Sequence, residues 1–228
     1  MIDTNIYYIP KDKGILITSN FAEIQKRMDI GMDPVIEFIK TSITDLNKYE
    51  IKGFGFDNVD NTYFQSIKEV FAKYKFETIA FHETTADLSD VVLDVEHLVV
   101  GQKSKINISE KNFKNLKEIT FLSVKTFKGK ILDKFKTVEK LILWYENQKS
   151  NTILENFPNL KEFYIYNGSI MELNLTENPH IEKLQLHRCI KLEKVILPPS
   201  MQLKKVIVEA CNKLDTYNLP INRESLNE

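Results

Sequence analysis

The sequence predicts an α/β repeat protein: a solenoid of about eight turns of ~22 residues, with a parallel β-sheet on its concave face and a small α+β cap at its N-terminus. Three observations predict it. An apolar triplet at i, i+3 and i+5 recurs eight times, its successive starts 25, 19, 21, 22, 22, 21 and 22 residues apart. A phenylalanine column, Phe113, Phe135 and Phe157, keeps the same register three residues before its triplets. Cys189 and Cys211 each sit eight residues after a triplet start, and Leu192 and Leu214 follow them by three.

The first 48 residues do not follow the repeat. Asn5–Ile9 and Gly14–Thr18 read as two short strands around Pro10-Lys-Asp-Lys13. Asn20 followed by Glu23 resembles a capping box and opens a helix near residues 21–28. Asp33-Pro34 places an N-cap and an N1 proline before a second helix at residues 35–40. Residues 1–48 are therefore assigned to a cap over the open end of the first repeat, since so short a segment lacks a core of its own.

Residues 49–220 carry the repeats. The triplets are Ile51/Phe54/Phe56, Phe76/Ile79/Phe81, Val95/Leu98/Val100, Leu116/Ile119/Phe121, Val138/Leu141/Leu143, Leu160/Phe163/Ile165, Ile181/Leu184/Leu186 and Leu203/Val206/Val208. Residues three and five along alternate as a strand does, and one strand cannot bury its apolar face alone. Stacking the strands side by side builds a continuous core. Between the first two triplets, Phe64, Ile67, Phe71 and Tyr74 mark one face of a helix over residues 61–75. The later linkers are shorter and predict single turns or extended pieces. A second triplet set, Ile170/Leu173/Leu175, Leu192/Val195/Leu197 and Leu214/Tyr217/Leu219, falls midway between the main ones and offers an alternative concave sheet. Residues 221–228 form a polar tail. The last strand edge is then covered by that tail, by a partner or by a second copy, giving a monomer or a weak homodimer through the C-terminal edge.

Ile181-x-x-Leu184-x-Leu186-x-x-Cys189 and Leu203-x-x-Val206-x-Val208-x-x-Cys211 resemble the L-x-x-L-x-L-x-x-N/C core of leucine-rich repeats, small bacterial type. The resemblance spans roughly residues 51–219 and favours the main triplet set as the concave sheet. At the Asn/Cys position the other repeats hold Val59, Thr84, Lys103, Val124, Glu146 and Gly168, so the ladder that ties the turns is expected to be incomplete.

Thirty-one basic residues face thirty-two acidic ones, which gives no global pull toward nucleic acid or anionic membrane. No apolar run approaches the length of a membrane span, and no signal peptide is legible, so a cytoplasmic protein is expected. Abundant Lys, Asn, Ile and Phe suit an AT-rich bacterial genome. Cys189 and Cys211 occupy an inward position as small buried hydrophobes, neighbours on adjacent turns that a cytosolic setting keeps as thiols. His187 points the other way, which argues against a metal site. No phosphate loop, nucleophile elbow or zinc motif is present, and no cofactor is implied.

The outward residues at i+2, i+4 and i+6 form the natural binding surface. Leu122, Lys140, Ile142, Trp144, Tyr164, Tyr166 and His187 are the expected partner-binding residues, with Tyr145 at the strand end. Clustered exposed aromatics mark interfaces, because Trp and Tyr bury much area and lose little entropy. The opposing reading is that the cap covers them, or that a one-residue slip turns Trp144 inward. The expected function is non-catalytic protein–protein interaction. The resemblance also allows an immunity protein that neutralises a bacterial toxin. A distant alternative is an enzyme with a cleft between the cap and the first repeat, using Asp57, His82 and Glu83.

Overall fold

The fold follows from strands that cannot bury their apolar faces singly. In the computed structural model the chain is described at residues 5–9, 14–19, 37–38, 51–145, 150–199, 201, 203–215 and 219. It is α/β, with a long, mostly parallel sheet and few helices among the described residues.

In chain order, β1 is Asn5–Ile9, β2 Gly14–Thr18, β3 Glu37–Phe38, β4 Gly53–Asp57, β5 Lys75–His82, β6 Thr85–Ala86, β7 Asp94–Val100 and β8 Lys105–Ile108. Then come β9 Glu118–Phe121, β10 Lys130–Ile131, β11 Lys140–Trp144, β12 Glu162–Tyr166, β13 Glu172–Asn174, β14 Lys183–His187, β15 Lys194–Ile196 and β16 Lys205–Glu209. Eleven of them join one sheet in the order β16-β14-β12-β11-β9-β7-β5-β4-β2-β1-β3.

The eight strands from β4 to β16 of this sheet carry the eight triplets, and the register never slips. Phe54 pairs with Ile79, Ile79 with Leu98, Leu98 with Ile119 and Ile119 with Leu141. Leu141 pairs with Phe163, Phe163 with Leu184 and Leu184 with Val206. A one-residue slip would send every side chain to the wrong face, so burying one face pins the register. The triplet residues are buried, except that Ile51 and Val208 are partly so.

The register extends further than the triplets. Strand β2 pairs with β4 in parallel, placing Ile15 beside Phe54 and Ile17 beside Phe56, both isoleucines buried. The hairpin of β1 and β2 is thus built into the sheet. The helix expected at residues 35–40 is corrected at Glu37–Phe38. This pair forms β3, antiparallel to β1 opposite Tyr7 and Tyr8. The unpaired backbone groups of β1 need partners, and that demand outweighs a local helix-start signal. The helix expected near residues 21–28, the turn at Pro10, Glu146, Tyr217 and the tail at 221–228 lie outside the described residues.

Opposite the long sheet run shorter parallel pieces. Strands β10, β8 and β6 form a three-stranded sheet, and β13 and β15 a pair. Two triplets of the second set therefore fall at β13 and β15, while β6, β8 and β10 belong to earlier repeats, and the main set forms the long sheet. Helix α1, Asn61–Phe71, is capped by Asp60, whose carboxylate accepts from the Tyr63 amide at 2.8 Å. It buries Phe64 and Ile67 and stops before the expected residue 75, because Lys75 and Phe76 pair with Asp94 and Val95 in β7. The later linkers carry only short turns and helix α2, Ser150–Leu154.

Two side-chain ladders tie the repeats. Phe113, Phe135 and Phe157 stack in the core with ring centroids 6.3 and 5.7 Å apart. Asn178 takes the next place and donates to the carbonyls of Leu154 and Phe157 at 3.2 and 2.9 Å. At the other strand end, the Asn/Cys position is better filled than expected. The Thr84 hydroxyl lies 3.1 Å from the Phe56 carbonyl and the Ser104 hydroxyl 2.8 Å from that of Phe81. The Cys189 and Cys211 thiols donate to the carbonyls of Ile165 and Leu186 at 3.9 and 3.4 Å. All four carbonyls belong to the third triplet residue of the preceding repeat. The expected Lys103 is displaced by Ser104 because this turn has one residue more between strand and ladder.

Candidate functional site

Alternation along each strand decides what faces outward. In β11, β12 and β14 every second residue is buried and every other one is half-buried. Parallel register then aligns like positions into rows across the sheet, about 4.8 Å apart from strand to strand. This places Lys140, Ile142, Trp144, Tyr164, Tyr166 and His187 together on the outward face, as expected. Leu122, just beyond β9, is half-buried at the end of the Trp144 row. Tyr145 is 56% exposed beside Trp144.

The row through Trp144 is a column of stacked rings. Trp144 and Tyr166 stack with centroids 4.3 Å apart and planes 15° apart. Tyr166 and His187 stack at 4.7 Å and 12°. Strand spacing and ring-stacking distance nearly coincide, so the register brings the rings within reach and their side-chain orientations set them face to face. Glu209 closes the row, with its carboxylate 2.9 Å from His187 Nδ1. The Gln185 carbonyl oxygen lies 3.4 Å from both the Tyr166 hydroxyl and His187 Nε2.

A row of alternating charge runs beside it. Glu118 lies 3.4 Å from His97 and 3.0 Å from Lys140, and Glu162 lies 2.5 Å from Lys183. Lys140 Nζ sits 5.3 Å from the centre of the Tyr164 ring, within cation–π range. The Tyr164 hydroxyl donates to Glu162 at 2.5 Å. Burial, reinforced by that carboxylate, pushes the Tyr164 phenol well above its ordinary value. Burial opposes ionisation of Glu162, but the hydrogen bonds from Lys183 and Tyr164 outweigh it and hold the carboxyl below its usual range. Burial lowers His97, with Glu118 opposing and Lys140 assisting. Glu118, Gln185 and Glu209 belong to the site although only their columns, and not the residues themselves, stood out in the sequence. Their signal was the register shared with the aromatics.

At the other end of the sheet the described outward face carries mostly small residues. Gly14, Leu16, Gly53, Gly55, Thr78 and Ala80 line an open groove of about 310 Å³. Nearby, Asp57 lies 2.8 Å from His82 Nδ1 and accepts from the Thr18 hydroxyl at 2.8 Å. Glu83 does not join this pair and instead bonds Lys103 at 2.7 Å. Of the three residues expected for an enzyme cleft, two meet and one turns away.

Among the described residues no group of three or more His, Cys, Asp or Glu side chains is placed to hold a metal ion. Among them, too, no helix is long and apolar enough to cross a membrane. Comparison with protein-family models, with curated proteins and with solved structures finds no match for this chain.

Proposed function

We propose that this chain is a non-catalytic, leucine-rich-repeat-like solenoid that binds a protein partner through the outward face of its long sheet, centred on Trp144, Tyr166 and His187. The observation that carries this reading is the ring column. A tryptophan, a tyrosine and a histidine are stacked at 4.3 and 4.7 Å on a face that the core does not need. Rings already held by their neighbours lose little side-chain entropy on binding, and such preorganised aromatics dominate interface energetics. The alternating charge row of Glu118, Lys140, Glu162 and Lys183 supplies a polar rim whose pattern a partner must match. The Asp57–His82 pair gives the enzyme alternative an oriented imidazole, and the Thr18 hydroxyl donates to the same carboxylate, but Glu83 does not join them.

The test is affinity capture from the source cell followed by calorimetry with the purified partner. Trp144→Ala/Tyr166→Ala is expected to weaken binding by about 2–4 kcal/mol. Met171→Ala, 52% exposed and off this row, is expected to leave binding unchanged. A double variant that keeps its fold by circular dichroism and its full affinity would move the site elsewhere.

A further inference from the structure

We propose that Cys189 and Cys211 form an oxidisable dithiol, converted by a hydroperoxide into a disulfide that ties the last two repeats together. The two residues occupy the same ladder position on adjacent repeats. Strands β14 and β16 pair in register, His187 opposite Glu209, and each cysteine follows two residues later. Neighbouring strands lie about 4.8 Å apart, within the Cα separation a disulfide spans. Both side chains are buried at that shared position. Hydrogen bonding from the Cys189 side chain is the main cause lowering the Cys211 thiol to about 7, against an opposing effect of burial and with help from the Cys189 backbone amide.

The ladder itself does not require sulfur. Ser104 makes the same bond to the preceding repeat with a hydroxyl, at 2.8 Å. Replacing serine-like chemistry by two neighbouring thiols therefore adds a reactivity that the fold does not use. Cys189 is fully buried and Cys211 is 7% exposed, so attack begins at Cys211, and only a small oxidant reaches it.

The chemistry balances. The Cys211 thiolate attacks one peroxide oxygen, the O–O bond breaks, and hydroxide leaves and takes up the proton that Cys211 had released. The sulfenic acid formed on Cys211 is then attacked by the Cys189 sulfur. The S–S bond forms, the S–O bond breaks, and a second water departs with the Cys189 proton. Two thiols lose two electrons to one peroxide. Both sulfurs leave their carbonyl acceptors, at Ile165 and His187 for Cys189 and at Leu186 and Glu209 for Cys211. His187 and Glu209 end the ring column, so the cross-link forms beside the proposed binding surface, although it does not depend on that reading.

The experiment treats the full chain with hydrogen peroxide under native conditions, then counts thiols by alkylation in denaturant and weighs the intact protein. Both thiols are expected to disappear together from a monomer lighter by two hydrogens, to return with dithiothreitol, and to react faster as pH rises through about 7. Cys189→Ser is expected to leave a Cys211 sulfenic acid that dimedone traps, and Cys211→Ser to leave Cys189 unreacted over the same time. Wild type that stays folded and keeps both thiols alkylatable would overturn the proposal. So would a disulfide found only between two chains.

Discussion

The repeats of β4, β5 and β7 and those of β11, β12, β14 and β16 bury the same columns and display opposite surfaces. Inward, Phe54, Ile79 and Leu98 continue without a break into Leu141, Phe163 and Leu184. Outward, the early repeats show Gly53, Gly55, Thr78 and Ala80 around a groove, while the late ones show stacked rings and an ion-pair row. The ladder differs too, with hydroxyls at Thr84 and Ser104 and thiols at Cys189 and Cys211. Packing constrains the inward columns to one answer. Nothing in the core dictates the outward ones, so they are free to diverge between the two ends of the sheet.

The largest difference between the two ends is expected at the glycines. If the glycines of the early face were a packing requirement, they would resist a methyl group as the core does. A Cβ at Gly55 meets Leu16 Cδ1 at 3.4 Å, an ordinary contact with a flexible tip. A Cβ at Gly129, just before β10, would lie 1.6 Å from the Ile106 carbonyl oxygen, which cannot rotate away. Gly129→Ala is expected to destabilise by about 3 kcal/mol or more, and Gly55→Ala to change stability by less than about 1 kcal/mol. Urea denaturation measures both. A Gly55→Ala as damaging as Gly129→Ala would mean that the early groove is structural and not a vacant surface.

Within one late strand the two faces carry different stability. Leu184 is fully buried between Phe163 and Val206, and its neighbour Gln185 faces outward, half-buried. Leu184→Ala is expected to cost about 3 kcal/mol from lost transfer energy and the cavity left behind. Gln185→Ala is expected to cost under about 1 kcal/mol, since its contacts to Tyr166 and His187 are long at 3.4 Å. Equal costs at the two positions would contradict the register on which the outward rows depend.

What the sequence made legible follows the same division. Triplets carry a period, and period fixes which face a residue takes. The outward position of Trp144 was therefore readable before any coordinate. The short strands β6, β8 and β10 were not, because two to four residues such as Thr85–Ala86 are too few to show alternation. Ser104 was hidden by one inserted residue, which put Lys103 in its column. Glu37–Phe38 misled because its neighbours signal a helix start, whereas the strand depends on β1, some thirty residues away in the chain. The ring column needed both the register and the side-chain orientations, and only the first is written in the sequence.

The smallest expected effect concerns the turn that ends each strand. Asn58, Glu83, Lys103, Tyr145, Asn167, Arg188 and Ala210 all have φ between 47 and 56°, in the left-handed region. In four of them the backbone amide donates to the strand-end carbonyl of the next repeat, as Asn58 does to His82 at 2.9 Å and Arg188 to Glu209 at 2.8 Å, and Glu83 donates to Gln102 two residues past the strand at 2.8 Å. That shared bond is what holds the conformation. The early repeat meets it with Asn58, a residue type that tolerates the left-handed region, and the late one with Arg188, which does not. Arg188 is exposed, so removing its side chain sacrifices little packing. The strain of a side chain here, roughly 1 kcal/mol, exceeds most of what glycine gains in the unfolded chain. Arg188→Gly is therefore expected to stabilise by about 0.5 kcal/mol and Asn58→Gly by less, read as shifts in the urea midpoint. A clear loss of stability in Arg188→Gly would show that the arginine holds the turn through contacts of its side chain, and would remove the left-handed amide as the common device joining early repeats to late ones.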